Sequence, residues 1–261
     1  MSPSAFFLDV DGSQRFCILH RPQMEVRGTI LYLHPFAEEM NRSRHVAALQ
    51  ARAFAAAGYA VLQMDLHGCG DSAGDFADAT WTQWLADVRA GVRYLQESFE
   101  RPLCLWGFRS GALLATAIAR EVSAKLLLWQ PVTSGHQHLQ QFLRLSLAAN
   151  MLDGGRASGS TEALRAQLTA GQCVEVAGYS ISPELAHGLA TAELQFEGLL
   201  GHCIEIQPGG GEISPALHRL LHAGSTRASV CVDSQCWLTP AIMACPELMR
   251  ASLEAMESLL P

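Results

Sequence analysis

A stretch near the middle of the chain has the residue types and spacing most suggestive of chemistry. Residues 103–115 read LCLWGFRSGALLA, which predicts a short apolar strand, a Gly-x-x-x-Gly turn and the start of a helix. A turn of this kind holds its central residue exposed at the end of the strand, where a serine can attack a carbonyl carbon. The central residue here is Arg109, and a serine follows one place later, at Ser110. The backbone pattern therefore indicates acyl transfer, and the central side chain contradicts it.

The elements that must position this turn alternate along the chain. Two short strand candidates, 5–10 and 15–20, flank an Asp11-Gly12 turn signal. Four apolar runs predict buried strands, at 28–34, 59–65, 103–107 and 125–129. Helical spacing predicts helices at 44–57, ending at Gly58, and at 81–99. The later part of the chain adds strands and helices in the same way, at 202–207, 215–223, 229–233 and 246–259. We therefore predict an α/β fold with a mostly parallel sheet flanked by helices.

Residues 132–200 interrupt the alternation. Helical patterns cover 136–152 and 182–195, a Gly/Ser-rich segment lies at 153–160, and at most one weak strand is predicted. An insertion of this length between two core strands is best explained as a helical lid over the carboxyl edge of the sheet. The expected organisation is a core of residues 1–131 and 201–261 with a lid of residues 132–200.

Composition narrows the class of protein further. A chain of 261 residues that is 49% hydrophobic can bury one large core. The net charge of −7, without a basic run, argues against a nucleic-acid partner. We find neither a signal peptide nor an apolar run long enough to span a membrane, and we expect a cytoplasmic location. The eight cysteines form no CxxC pair, so free thiols are expected, with no metal site and no cofactor.

Three motifs resemble the α/β-hydrolase superfamily, and within it the serine-aminopeptidase and monoglyceride-lipase-like branch. Residues 34–42, HPFAEEMNR, resemble the HGxGEHxxR oxyanion loop of that branch. Residues 65–72, DLHGCGDS, are similar to its DxxGxGxS turn, and the third motif is the turn at 107–111. The resemblance implies the α/β-hydrolase fold with a helical lid, and an activity on ester or acyl bonds.

Four further stretches look like a narrower family, the exosortase A system-associated hydrolase 2 family. They are residues 34–44, 128–132, 141–145 and 177–179. That family occurs in bacteria that sort PEP-CTERM proteins and make exopolysaccharide. The resemblance implies a bacterial protein with a protein partner in that system, and it does not by itself imply a reaction.

The chain departs from the superfamily pattern at two of the three positions of the catalytic triad. Acyl transfer on this fold needs a nucleophile, an acid and a histidine base, in that chain order. Arg109 cannot be the nucleophile, because a guanidinium is always protonated and has no free lone pair. The last histidine, His222, precedes the last predicted strand, and the loop after that strand reads SQCWLT at 234–239. These two losses together predict a site that does not use a catalytic triad, as in a pseudoenzyme.

Several residues would have to take unusual roles if hydrolysis survives. Ser110 would serve as nucleophile only if the turn slid by one residue. His67 or His34 would act as an unusual base, although each also fits a structural role in its loop. Cys236 would need a nearby cation or base to be a nucleophile. The acid position has three candidates, Asp153, Glu205 and Glu212, of which Glu212 lies where the acid loop is expected.

The remaining features would hold an anion or an acyl group. The backbone N–H groups of Phe36 and Ser110 would form an oxyanion hole, and Arg109 adds donors that match a carboxylate or phosphate. Glu38 and Glu39 lie on the facing loop, so Arg109 is either an anchor for a ligand or plugged by one of these carboxylates.

The other ligand-binding candidates are His34, Trp129 and Trp237, and four side chains predict an apolar pocket, namely Trp129, Phe142, Leu145 and Tyr179. Two hypotheses follow. The first is a binding or regulatory protein that holds an acyl, carboxylate or other anionic ligand, or a partner protein. The second is an active ester or acyl hydrolase or transferase that works through a nonstandard site.

Overall fold

A twisted sheet of eight strands forms the centre of the molecule, as seen in a computed structural model that describes residues 3–152, 160–221 and 225–261, with backbone only for 146–152. The strands of the described chain are β1 Ser4–Val10, β2 Ser13–His20, β3 Gly28–Leu33, β4 Tyr59–Met64, β5 Leu103–Phe108, β6 Lys125–Trp129, β7 Val174–Val176, β8 Tyr179–Ile181, β9 Gly201–Ile206 and β10 Arg227–Cys231. The helices are α1 Glu38–Ala56, α2 Trp81–Phe99, α3 Gly111–Ala119, α4 Gly135–Leu152, α5 Thr161–Thr169, α6 Pro183–Thr191, α7 Pro215–Leu221 and α8 Pro246–Leu259.

The strand order of the large sheet is β1-β2-β4-β3-β5-β6-β9-β10. The hairpin of β1 and β2 joins β4 in antiparallel pairing, and all other neighbours in this sheet are parallel. The central strands β3 and β5 are buried along their whole length, as strands covered on both faces must be. The predicted fold class, a mostly parallel sheet flanked by helices, is confirmed.

Two hydrophobic cores lie on the two faces of this sheet. The larger one contains side chains of α2 and α3, and the smaller one contains side chains of α1 and α8. The turn between β5 and α3 lies at the carboxyl edge of the sheet, because it follows the end of β5. The loops after β3, β6 and β10 begin at the same edge. This edge is where open α/β sheets carry their sites.

The segment between β6 and β9 consists of α4, α5, the two-stranded β7–β8 sheet and α6. Helix α4 packs against α5, α6 and β7. Helix α5 was not expected. At most one weak strand was predicted in this segment and two are present, because strands of three residues are too short to show a period in the sequence. Helix α6 ends at Thr191 rather than near 195. The Gly/Ser-rich stretch at 153–159 lies outside the described residues.

Other boundaries also differ from the sequence expectation, most of them by one or two residues. Helix α1 begins at Glu38, six residues before the expected start at 44, because its first turns carry polar residues that hide the apolar period. Strand β10 covers Arg227–Cys231 instead of 229–233. The Asp11-Gly12 turn is present, with φ values of 52° and 79°, and Gly58 follows α1 with a φ of 100°.

Candidate functional site

The Gly-x-x-x-Gly turn joins β5 to α3 where the sequence predicts it. Arg109 is its central residue and has a φ of 53°, in the left-handed region that side chains other than glycine rarely adopt. Its N–H donates to the carbonyl of Trp129 at 2.9 Å, and its carbonyl accepts from the N–H of Val132 at 3.2 Å. The end of β6 and the loop after it therefore hold both the N–H and the carbonyl of Arg109.

Both glycines of this turn are required by close approaches. A Cβ on Gly107 would lie 2.7 Å from the Cα of Ala112. A Cβ on Gly111 would lie 2.1 Å from the carbonyl oxygen of Leu33, at the end of β3. Helix α3 thus starts directly against the neighbouring strand, which fixes the position of Arg109.

The guanidinium of Arg109 is bound by a carboxylate on α1. Its Nη2 donates to Oε1 of Glu39 at 3.1 Å, and its Nε lies 3.2 and 3.3 Å from the two carboxylate oxygens. The two side chains are only 16% and 20% exposed, so water screens this ion pair weakly. Of the two acids predicted to plug the site, Glu39 is the one that pairs with Arg109.

A tryptophan covers the other side of the guanidinium. The Cζ of Arg109 lies 5.3 Å from the ring centre of Trp237, a cation–π distance. Trp237 belongs to the loop after β10, where the fold would place a catalytic histidine. Its ring also meets Phe108 edge to face at 5.7 Å. The side chain at the expected nucleophile position therefore packs against the loop in which the histidine base was expected.

A cavity of about 500 Å³ opens beside Arg109, between α1, α4, the β7–β8 hairpin and the loop after β10. Its apolar part includes Phe36, which meets Phe142 edge to face at 4.8 Å. The cavity reaches the surface at Leu145 and Leu238, which are 55% and 57% exposed. The full lining is Phe36, Ala37, Glu38, Glu39, Arg42, Arg109, His138, Gln141, Phe142, Leu145, Ala177, Tyr179, Trp237 and Leu238.

The rim of the cavity carries a second pair of charges. Glu38 lies 3.5 Å from the Nε of Arg42. The same carboxylate accepts from Asn41 at 3.2 Å and from the hydroxyl of Tyr179 at 3.0 Å. This pair and the pair of Arg109 with Glu39 each have no net charge. The positive and negative charges that line the cavity are therefore equal in number.

His138 on α4 is a site residue that the sequence analysis missed. It is 6% exposed, and neither ring nitrogen has a hydrogen-bond partner among the described residues. Burial, with a smaller contribution from the positive charge of Arg109, lowers the pKa of His138 from 6.5 to about 3. The ring is therefore neutral at physiological pH. The signal was present in the sequence, since His138, Phe142 and Leu145 have the i, i+4, i+7 spacing of one helix face.

Two predicted histidine candidates lie away from the cavity lining. The ring of His34 is bonded to the backbone at both nitrogens, with Nδ1 2.8 Å from the carbonyl of Pro35 and Nε2 3.2 Å from the N–H of Leu66. His67 packs against Gly74, and burial lowers its pKa. His34 thus serves the backbone locally, and neither ring lines the cavity beside Arg109.

Three more candidates also face elsewhere. Trp129 is fully buried, and its indole N–H donates to Ser252 of α8 at 2.8 Å, so it belongs to the core beneath the turn. Glu212 is exposed in the loop before α7. Cys236 is buried and lies in the smaller core. Asp153 and His222 lie outside the described residues.

Glu205 is another of the acid candidates, and its role here is local. It is 4% exposed and accepts from the backbone N–H of Ser214 at 2.6 Å and from the hydroxyl of the same residue at 2.5 Å. Ser214 immediately precedes α7. The carboxylate therefore holds the start of that helix.

The two predicted oxyanion donors are the backbone N–H groups of Phe36, on the loop after β3, and of Ser110, on the turn after β5. Ser110 is 4% exposed, and its hydroxyl caps no backbone group of α3. Within the described chain, the backbone N–H groups of Phe36 and Ser110 donate to no acceptor. No histidine or cysteine of the described residues is hydrogen-bonded to the Ser110 hydroxyl, so no base is placed to activate it.

No group of three or more His, Cys, Asp or Glu side chains in the described part of the chain is arranged to hold a metal ion. None of the helices described is both long and apolar enough to cross a bilayer. All eight cysteines are free thiols, and all except Cys173 are buried.

Comparison with solved structures shows the same fold. Est1E of Butyrivibrio proteoclasticus, solved with ferulic acid bound, superposes with a TM-score of 0.73 at 19% identity, over 98% of this chain and 99% of that one. An α/β serine hydrolase without a lid from Xanthomonas campestris gives 0.59 at 16% identity, with 99% and 95% covered. Monoglyceride lipase of Saccharomyces cerevisiae gives 0.57 at 12% identity, with 88% and 85% covered.

Comparison with sequences is less detailed but decides the family. A search of curated proteins found no match. The profile of the serine aminopeptidase family, S33, matches residues 24–190. This range runs from the loop before β3 to α6 and includes the oxyanion-type loop and the turn at Arg109. The chain therefore belongs to the serine aminopeptidase (S33) family of the α/β-hydrolase superfamily.

Proposed function

We propose that this protein binds an acyl-type ligand in the cavity beside Arg109 and does not hydrolyse it by a Ser-His-Asp mechanism. One observation carries this proposal. The side chain at the nucleophile position, Arg109, is paired with Glu39 and stacked on Trp237, in the loop where the base would lie. A serine nucleophile and a histidine base would need the positions that these two side chains fill.

The cavity itself supports binding as the retained activity. It is lined mainly by apolar side chains and is of a size that suits a small ligand. Three residues with unfavourable positive φ values, Ala37, Arg109 and Ala177, line it. Backbone strain of this kind is concentrated at functional sites, where the surrounding structure maintains it.

The stretches that resemble the exosortase A system-associated hydrolase 2 family meet at this cavity. Residues 34–44, 141–145 and 177–179 contribute to its lining. Residues 128–132 hold the backbone of Arg109 through Trp129 and Val132. This convergence supports assignment to that family, with the segment 132–200 acting as a lid. A cytoplasmic role beside a protein of the exopolysaccharide or PEP-CTERM system is part of the same proposal.

An alternative function is hydrolysis or acyl transfer through a nonstandard site. The backbone N–H groups of Phe36 and Ser110 favour it, because they donate to no acceptor among the described residues and are free to bind an oxyanion. It would require Ser110 as the nucleophile. The Ser110 hydroxyl has no base bonded to it among the described residues, which is why we place this function second.

The test of the catalytic half is a panel of p-nitrophenyl esters with short to long acyl chains. We expect the rate with wild type to equal that with heat-denatured protein, with Arg109→Ser and with Ser110→Ala. Turnover by wild type that Ser110→Ala abolishes would instead establish the alternative function.

The test of the binding half is a neutral fluorescent probe, N-phenyl-1-naphthylamine. Leu145→Asp places a charge at the mouth of the cavity and should weaken probe binding about tenfold. The matched control is Phe7→Asp on β1, since Phe7 is 56% exposed and Leu145 is 55% exposed. Equal probe affinity in the two variants, or no binding by wild type, would contradict the proposal.

A further inference from the structure

His138 occupies a position that the fold alone does not explain. It lies in the wall between the large cavity and a second cavity of about 130 Å³, together with Arg109 and Gln141. Both of its ring nitrogens are buried without a partner in the described chain. An unsatisfied polar group in an apolar interior costs free energy, so native structures nearly always pair such groups. A partner supplied by a ligand would remove that cost.

The charges around His138 limit what that partner can be. Arg109 and Glu39 neutralise each other beside it, and Glu38 with Arg42 forms the other charged pair of the lining. A carboxylate entering next to His138 would meet the carboxylate of Glu39 and would lack an unpaired cation. An ammonium would meet Arg109. Either charge would be desolvated without compensation.

We infer that His138 binds the uncharged polar head group of an acyl-type ligand, such as an amide, ester or alcohol, whose hydrocarbon part fills the cavity lined by Phe36 and Phe142. This inference rests on the proposed function and adds the chemical class of the ligand. It gives His138 a binding role and excludes free fatty acids and alkylamines as preferred ligands.

The chemistry of a neutral imidazole fits this class of head group. One ring nitrogen donates a hydrogen bond and the other accepts one. A primary amide offers both a carbonyl acceptor and an N–H donor, so it matches His138 best. The guanidinium of Arg109 uses Nε and Nη2 for Glu39, and its Nη1 makes no hydrogen bond among the described residues. Phe36 meets the imidazole edge to face at 5.8 Å and holds the ring in place.

The test is displacement of N-phenyl-1-naphthylamine at pH 8 by three probes with the same chain length, namely octanamide, octanoate and octylamine. We expect octanamide to bind wild type at least about tenfold more tightly than either charged probe, as one or two hydrogen bonds without a buried charge would give. His138→Phe should weaken octanamide about tenfold and leave the affinity for the fluorescent probe within about twofold.

Two further variants keep this test decisive. His138→Asn retains a donor and an acceptor and should recover part of the octanamide affinity. His136→Phe is the matched control, because His136 lies on the same helix but is exposed and lines neither cavity. His138→Phe should also raise the melting temperature, since it removes two unsatisfied buried nitrogens.

The outcomes separate this inference from the proposed function. Equal binding of octanamide and octanoate, or an octanamide affinity that His138→Phe does not change, would overturn the inference while leaving an apolar binding site. If neither the fluorescent probe nor octanamide binds wild type, both the inference and the proposed function are wrong.

Discussion

Arg109 has two properties at the scale of the single residue that rarely occur together. Its backbone is in the left-handed region, and its charged side chain is largely buried. The first property belongs to the turn, because the hydrogen bonds to Trp129 and Val132 hold that conformation. The second is tolerated because Glu39 neutralises the charge and Trp237 covers it. The residue therefore forms part of the wall of the cavity, with its charge neutralised.

Glu39→Gln tests the charge balance of this wall. The change leaves Arg109 without its counter-charge, so we expect the free energy of unfolding to fall by about 1–2 kcal/mol. It also gives the cavity a net positive charge, so octanoate should bind about tenfold more tightly than to wild type. Urea denaturation and probe displacement measure the two effects.

Glu38→Gln is the comparison variant for that experiment. Glu38 and Arg42 are 48% and 34% exposed, and solvent screens their interaction. We expect both stability and octanoate affinity to change by less than half as much as in Glu39→Gln. The same gain in octanoate binding from both variants would show that the exclusion of carboxylates does not depend on the pairing of Arg109 with Glu39.

At the scale of the elements, the site depends on how closely α3 approaches β3. Gly111 is the contact point, because the carbonyl of Leu33 occupies the space that a side chain would need. The loop after β3 and the turn after β5 are thereby brought side by side. Phe36 and Ser110 belong to these two segments, which explains how two unpaired N–H groups come to lie at one edge of the sheet.

Gly111→Ala should therefore be severely destabilising, by about 3 kcal/mol or more, because backbone would have to move on both sides. The control is Gly209→Ala, since no atom lies within 4 Å of the place where its Cβ would be. We expect the control to stay within about 0.5 kcal/mol of wild type. Thermal denaturation followed by circular dichroism distinguishes the two, and similar melting temperatures would contradict the close approach.

Local signals in the sequence predicted the elements that build the scaffold. The β1–β2 hairpin, the turn at Arg109 and α2 follow from turn residues, glycines and amphipathic spacing, which act within a few residues. The start of α1 was not predicted, because Glu38, Glu39 and Arg42 break its apolar pattern and face the cavity instead. The spacing of His138, Phe142 and Leu145 marks one face of a helix, but only the fold shows that this face lines a cavity. His138 was missed for that reason. The pairing of Arg109 with Trp237 joins residues far apart in the chain, and no local pattern encodes it.

The molecule as a whole buries several histidines in uncharged form. Burial lowers the pKa values of His20, His34, His67, His138 and His202 below 6.5. The unfolded chain therefore binds more protons than the folded one below that pH. It follows from proton linkage that stability rises with pH in this range and is lost as the pH falls through it.

Acid sensitivity is thus a property we predict for the whole fold. His138 alone, with a pKa shifted from 6.5 to about 3, should lower the free energy of unfolding by about 2 kcal/mol between pH 8 and pH 5. Urea denaturation at both pH values should show this loss in wild type and in His136→Phe, and a smaller loss in His138→Phe. Equal losses in all three proteins would mean that His138 titrates normally.

The bridge from Glu39 through Arg109 to Trp237 also has a consequence for motion. It connects the first turn of α1 to the loop after β10, two segments separated by most of the chain length. The Nη1 of Arg42, also on α1, adds a direct hydrogen bond to the carbonyl of Leu238 in that loop at 3.1 Å. Neither segment can swing away from the cavity without breaking a contact that the other shares. Their backbone amides should therefore exchange with deuterium as one cooperative unit, opening and closing together, and the two exchange rates should separate when both the Arg109 guanidinium and the Arg42 guanidinium are removed.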